Sequence, residues 1–77
     1  MEDHNILKTF GMNVKIERLK MGYTQEKLAE MLNFHEKHIS KIETGNQNVT
    51  LKTLSKIADA LQVDAYILLQ PNSKNVL

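Results

Sequence analysis

The chain has 77 residues, with 10 Lys plus Arg against 9 Asp plus Glu and a formal net charge of +1. That is enough for one small core, and too near neutrality for net charge alone to argue for a nucleic-acid partner. It has no cysteine, which excludes a disulfide framework and a thiolate metal site. No apolar run is long enough to span a bilayer or act as a signal sequence, so a soluble, cytoplasmic protein is expected.

Helical periodicity dominates from end to end. A first helix is predicted over about 7–21, with Phe10, Val14 and Met21 on one stripe and Gly22 ending the run. A second opens at Thr24, whose hydroxyl can accept from an orphan amide one turn on, with Glu26 at the positive end of the dipole. Leu28, Met31 and Leu32 then share a stripe beside the small Ala29, while Lys27 and Glu30 face water. The pattern breaks at Asn33, a residue type that tolerates the left-handed region and so permits a sharp turn. In the third helix Ile39 and Ile42 point inward. Glu36, Lys37, Ser40 and Lys41 occupy other faces, and Gly45 closes the helix. Thr50 caps a fourth helix that turns Leu51, Leu54, Ile57, Ala58 and Leu61 inward. Asp64 is expected to cap a short fifth containing Tyr66, Ile67, Leu68 and Leu69, which Pro71 stops. Residues 1–5 and 72–77 read as flexible ends. With no repeat, linker or low-complexity stretch, 1–77 reads as a single domain.

The stretch 24–45, TQEKLAEMLNFHEKHISKIETG, resembles the helix-turn-helix of the phage-repressor and Cro type of DNA-binding domain. Thr24, Gln25 and Glu26 open the motif. Ala29 is the small residue four positions after the Gln, Asn33 stands at the turn, and Ile39 and Ile42 lie six and nine positions beyond it. The likeness continues through Val14, Lys15, Arg18 and Gly22 upstream, and through Glu43, Gly45, Leu54, Ile57, Ala58, Leu61 and Val63 downstream. It covers nearly all of the chain, which makes it far more specific than a lone short signature. Two positions depart from the family. Asn33 replaces the usual Gly at little cost. His35 replaces the usual Ser or Thr cap, which predicts slight fraying at the start of the third helix.

The resemblance implies a compact, all-α, five-helix, lambda-repressor-like fold that binds double-stranded DNA as a transcription regulator. The third helix would enter the major groove, with Glu36, Lys37 and Lys41 as base readers. Lysine donates to guanine O6 and N7, and a carboxylate accepts from cytosine N4, so this trio suggests a half-site with G·C pairs. Thr24, Gln25, His35, His38, Ser40, Asn46 and Asn48 would meet the DNA backbone. Gln25 combines an outward side-chain amide with helix-start amides, and the amide-rich loop 45–48 offers further donors. Protonation of His38 would favour DNA, so mild acidification is expected to strengthen binding. The family pattern also implies a structural ion pair between Arg18 and Glu43.

A site this small reads few bases, so a homodimer on an inverted-repeat operator is expected. Four contiguous apolar residues in the fifth helix cannot all face inward. Tyr66, Ile67 and Leu69 are therefore the expected dimer surface, with Val76 and Leu77 as possible contributors. Within the family, the run Asn48, Val49, Thr50, Leu51 is most like that of restriction-modification controllers. The competing reading is an antitoxin-type module that holds a protein partner, such as a toxin or RNA polymerase, and also binds its own operator. Neither metal nor cofactor is expected, since His35 and His38 lack a convincing third ligand. An enzyme is not expected either: there is no Gly-rich phosphate loop, and Ser40, Ser55 and Ser73 sit in no triad context.

Overall fold

The computed structural model describes residues 6–71, and its order is α1 (Ile6–Met21), α2 (Gln25–Leu32), α3 (Glu36–Glu43), α4 (Leu51–Leu61) and a 3-10 helix (Ala65–Leu69). The segments 1–5 and 72–77, with Val76 and Leu77, lie outside the described residues. Among the described residues there is no strand, and no helix is long and apolar enough to cross a membrane.

The boundaries follow from local chemistry. The Thr24 hydroxyl accepts from the Lys27 amide at 2.9 Å, and that of Thr50 accepts from the Thr53 amide at 3.1 Å. Each satisfies a donor that the first helical turn leaves orphaned. Asn33 ends α2 in the left-handed region at φ 62°, and its N–H donates back into the last turn of the helix. Gly22 and Gly45, at φ 79° and 81°, close α1 and α3.

All the helices surround one core: Phe10, Val14, Leu28, Ala29, Leu32, Ile39, Ile42, Leu54, Ile57, Ala58, Leu61 and Leu68 are buried. Packing is closest where α1 meets the end of α3. A Cβ on Gly11 would lie 2.2 Å from the Ile42 carbonyl oxygen and 2.9 Å from that of Glu43, so α1 reaches α3 only because this residue has no side chain. Two residues on, the buried Asn13 side chain donates to the carbonyls of Leu68 at 2.9 Å and Gln70 at 2.7 Å, tying the 3-10 helix to α1.

Four expectations are corrected. The last element is a 3-10 helix, not a fifth α-helix. Asn13 takes the carbonyls of Leu68 and of Gln70 just beyond it, and Pro71 has no N–H to offer another turn. Asp64 precedes it without a side-chain cap bond. Met31 is 42% exposed, because three residues beyond Leu28 it falls at the margin of the stripe that Leu28 and Leu32 define. Leu51 is 81% exposed. It has the phase of the α4 stripe, but at the first helical position its side chain tilts toward the N-terminus, past the packed body.

Candidate nucleic-acid interface

The framework behind the motif is a buried polar cluster. Arg18 Nε donates to Glu43 Oε2 at 2.6 Å and Arg18 Nη2 to Glu43 Oε1 at 3.1 Å, a two-pronged ion pair. Arg18 Nη1 donates to the Tyr23 carbonyl at 2.8 Å. The pair therefore joins α1, the start of the motif and the last residue of α3. Both side chains are almost fully buried, which occupies Arg18 with structure. Breaking such a pair leaves a stranded charge.

Gln25 differs from its expectation. Its carboxamide is turned inward, with Nε2 donating to Glu43 Oε1 at 3.0 Å. A buried carboxylate held by one arginine still has free lone pairs, and the first residue of α2 is close enough to fill one. What Gln25 offers outward is its place at the start of α2 and the second N–H of its amide. Thr24, beside it, is exposed and spends a lone pair on the cap.

α3 presents the opposite character to solvent. Ile39, Ile42 and Glu43 are buried, while His35, Glu36, Lys37 and Lys41 are exposed and His38 and Ser40 are partly so. His35, Lys37, His38, Lys41 and Gln47 line one open depression, so two lysines and two imidazoles share a face with a loop amide. Glu36 lies on a neighbouring hollow with Glu26, Glu30, Phe34 and His35. Its carboxylate therefore stands among others rather than among the lysines.

His35 starts α3 without a side-chain cap bond, and its carbonyl is shared by the His38 amide at 2.9 Å and the Ile39 amide at 3.4 Å. In place of a cap, the Phe34 ring stacks on His38, with centroids 4.5 Å apart and planes 27° from parallel. The loop after α3 is ordered by Thr44, whose hydroxyl lies 3.1 Å from the carbonyl oxygens of Ser40 and Lys41 and accepts from Asn46 Nδ2 at 3.0 Å. Asn46 thus has its side chain engaged, Asn48 is exposed, and Gln47 is the loop residue brought against α3.

Sequence reasoning missed Phe34, and named Gln47 only as one of the donors of the loop 45–48. Phe34 stands just before the cap and four residues from His38, a spacing that brings side chains together. For Gln47 no signal set it apart from the amides on either side. Tyr66 and Leu69, on the 3-10 helix away from this face, are 58% and 39% exposed; Ile67 is partly buried and Leu68 fully so. Leu69 lines an apolar groove with Ile6, Phe10, Val49, Leu51 and Leu54. No group of three or more His, Asp or Glu side chains among the described residues is placed to hold a metal ion.

Known proteins resemble this chain in sequence and in fold. The control protein C.BamHI of Bacillus amyloliquefaciens is 44% identical over 61 residues, spanning 78% of this chain and 75% of its own. The hypothetical transcription factor NHTF from Neisseria superposes with a TM-score of 0.86 at 28% identity, over 99% of this chain and 87% of that one. The restriction-modification controller protein C.Esp1396I, solved as a tetramer with its natural 35 base-pair operator, superposes with a TM-score of 0.73 at 35% identity, over 82% of this chain and 83% of its own. A helix-turn-helix family model, HTH_3, matches residues 14–68. The chain belongs to the HTH_3 helix-turn-helix family of DNA-binding transcription regulators.

Proposed function

We propose that this protein is a sequence-specific regulator of transcription that binds an inverted-repeat operator as a homodimer in the cytoplasm, with α3 of each protomer in a major groove. One observation carries the reading: His35, Lys37, His38 and Lys41, with Gln47 of the following loop, line one open face beside a helix whose other side is locked into the core. Lys37 and Lys41 are the donors to base edges, with guanine the favoured target. Thr24, Gln25, His35, His38, Ser40, Asn46 and Asn48 flank them and meet phosphates, Gln25 through the helix start and its remaining N–H. Glu36 enters at the margin, beside Glu26 and Glu30. There it accepts from cytosine N4 in the correct site and repels phosphate elsewhere. That C.Esp1396I was solved in complex with its operator supports duplex DNA as the ligand.

The dimer surface is the 3-10 helix, where Tyr66, Ile67 and Leu69 meet their equivalents and the groove beside Leu69 extends the contact. Half-sites about 34 Å apart follow from the two-fold axis. Leu69→Glu is expected to give a monomer on sedimentation and to weaken operator binding.

Selection of bound sequences from a random duplex pool, at a fixed salt concentration because phosphate contacts make affinity salt-dependent, tests the reading. An enriched inverted repeat is expected. Lys41→Ala should then relax selectivity at one base pair per half-site, worth about 1–3 kcal/mol. Weak, salt-sensitive binding with no enriched sequence would overturn the reading in favour of a module that holds a protein partner.

A further inference from the structure

The side of α1 turned away from the core carries a pattern that neither the fold nor the DNA face uses. Phe10, Val14 and Arg18 point inward. On the opposite side Met12, Ile16 and Leu19 follow one another at steps of four and three; Met12 is 51% and Leu19 57% exposed, and Ile16 is half-buried. Steps of four and three are the d, a and d positions of a heptad seam, the spacing by which one helix receives another. Single exposed apolar residues are ordinary, but a seam of three spanning two turns is not.

Three of the positions flanking that seam are cationic, and the fourth, Asn13 beside Met12, is buried. Lys8 and Lys15 precede the a positions on one edge and Lys20 follows Leu19 on the other, each exposed. Glu17 is the only acid in α1 and lies 3.4 Å from Lys20 Nζ. In helix pairs the residues beside the seam choose the partner through charge. Two copies of α1 would set lysine against lysine in either orientation, so a second copy of this chain is the wrong occupant.

We propose that the outer face of α1 docks an amphipathic helix of a protein partner whose apolar seam is flanked by Glu or Asp. Met12, Ile16 and Leu19 supply the apolar contact, and Lys8, Lys15 and Lys20 select the acidic flanks. Lys8 lies against Gly45 of the loop after α3, whereas Met12, Ile16 and Leu19 are on the side of α1 turned away from the core, so a regulator bound to DNA keeps the seam available. The proposal does not depend on the operator reading.

Titration of the full chain with a labelled helical peptide of about three heptads, carrying Leu at its seam and Glu at the flanking positions, tests this against a twin carrying Lys. Saturable binding of the acidic peptide is expected, with none of its twin. Met12→Glu and Leu19→Glu should each weaken it at least about tenfold, a change of 1.4 kcal/mol, with unaltered circular dichroism because both positions are exposed. Reversing Lys15 and Lys20 to Glu should exchange the preference between the peptides. Three results would overturn the proposal: no saturation, displacement of the acidic peptide by duplex DNA, which would place it on α3, or a change in the oligomeric state of Met12→Glu, which would make the occupant a second copy.

Discussion

α2 and α3 are both eight residues long, yet they are held by different means. α2 is closed by its own neighbours: Thr24 caps its start, Asn33 turns its end, and the Phe34 amide returns to the Ala29 carbonyl at 2.8 Å. α3 has no side-chain cap at its start. Its hold comes from its far end, where the backbone rests on Gly11 and Glu43 is gripped by Arg18 and Gln25. A helix anchored at its last turn leaves its first residues free to carry whatever chemistry a DNA site demands. The device costs local stability at the end that is proposed to meet the bases.

Substitutions at each anchor bear on that difference. Arg18→Met would leave the Glu43 carboxylate buried and uncompensated, and should remove about 3–5 kcal/mol of stability. Thermal or urea denaturation reads this directly, and an unchanged midpoint would show that the anchor is dispensable. Gly11→Ala forces a methyl against the Ile42 carbonyl. A loss of about 1–3 kcal/mol is expected, with amides of α3 exchanging faster than those of α2. Thr24→Ala should cost about 1 kcal/mol by freeing the Lys27 amide, the typical worth of a cap. His35→Ser should act in the opposite direction, supplying α3 with the cap it lacks for a gain of about 0.5 kcal/mol or more. If His35→Ser has no effect on stability while Thr24→Ala does, the Phe34–His38 stack already substitutes for the cap.

Legibility in the sequence divides along the same line. Features set by chemistry within a few residues were readable: the caps at Thr24 and Thr50, the left-handed Asn33, the missing cap at His35, and the inward phase of Ile39 and Ile42. Features that depend on what lies across the fold were not. Gly11 carries no local signal, because the reason for it lies in α3, which is distant in sequence. Asn13 likewise carries no local signal, because it donates to the carbonyls of Leu68 and Gln70 across the fold. Leu51 had the right phase but stands at the rim of the groove beside Leu69, largely uncovered. Gln25 shows the mixed case, since its place at the start of α2 was clear while the inward turn of its amide depended on Glu43. At the proposed DNA face the lysines were identifiable by type and position, but their grouping with Gln47, and the separation of Glu36 from them, needed the backbone path of the loop after α3.

The central claim is that DNA is met by the start of α3, the start of α2 and the loop after α3, while α1 and the 3-10 helix stay clear. Amide chemical-shift changes on titrating a selected duplex into isotope-labelled protein measure this residue by residue. The largest changes are expected at Thr24, Gln25, His35, Lys37, His38, Lys41 and Gln47, with Met12, Ile16 and Leu19 nearly unmoved. Changes concentrated on α1, with α3 silent, would contradict it.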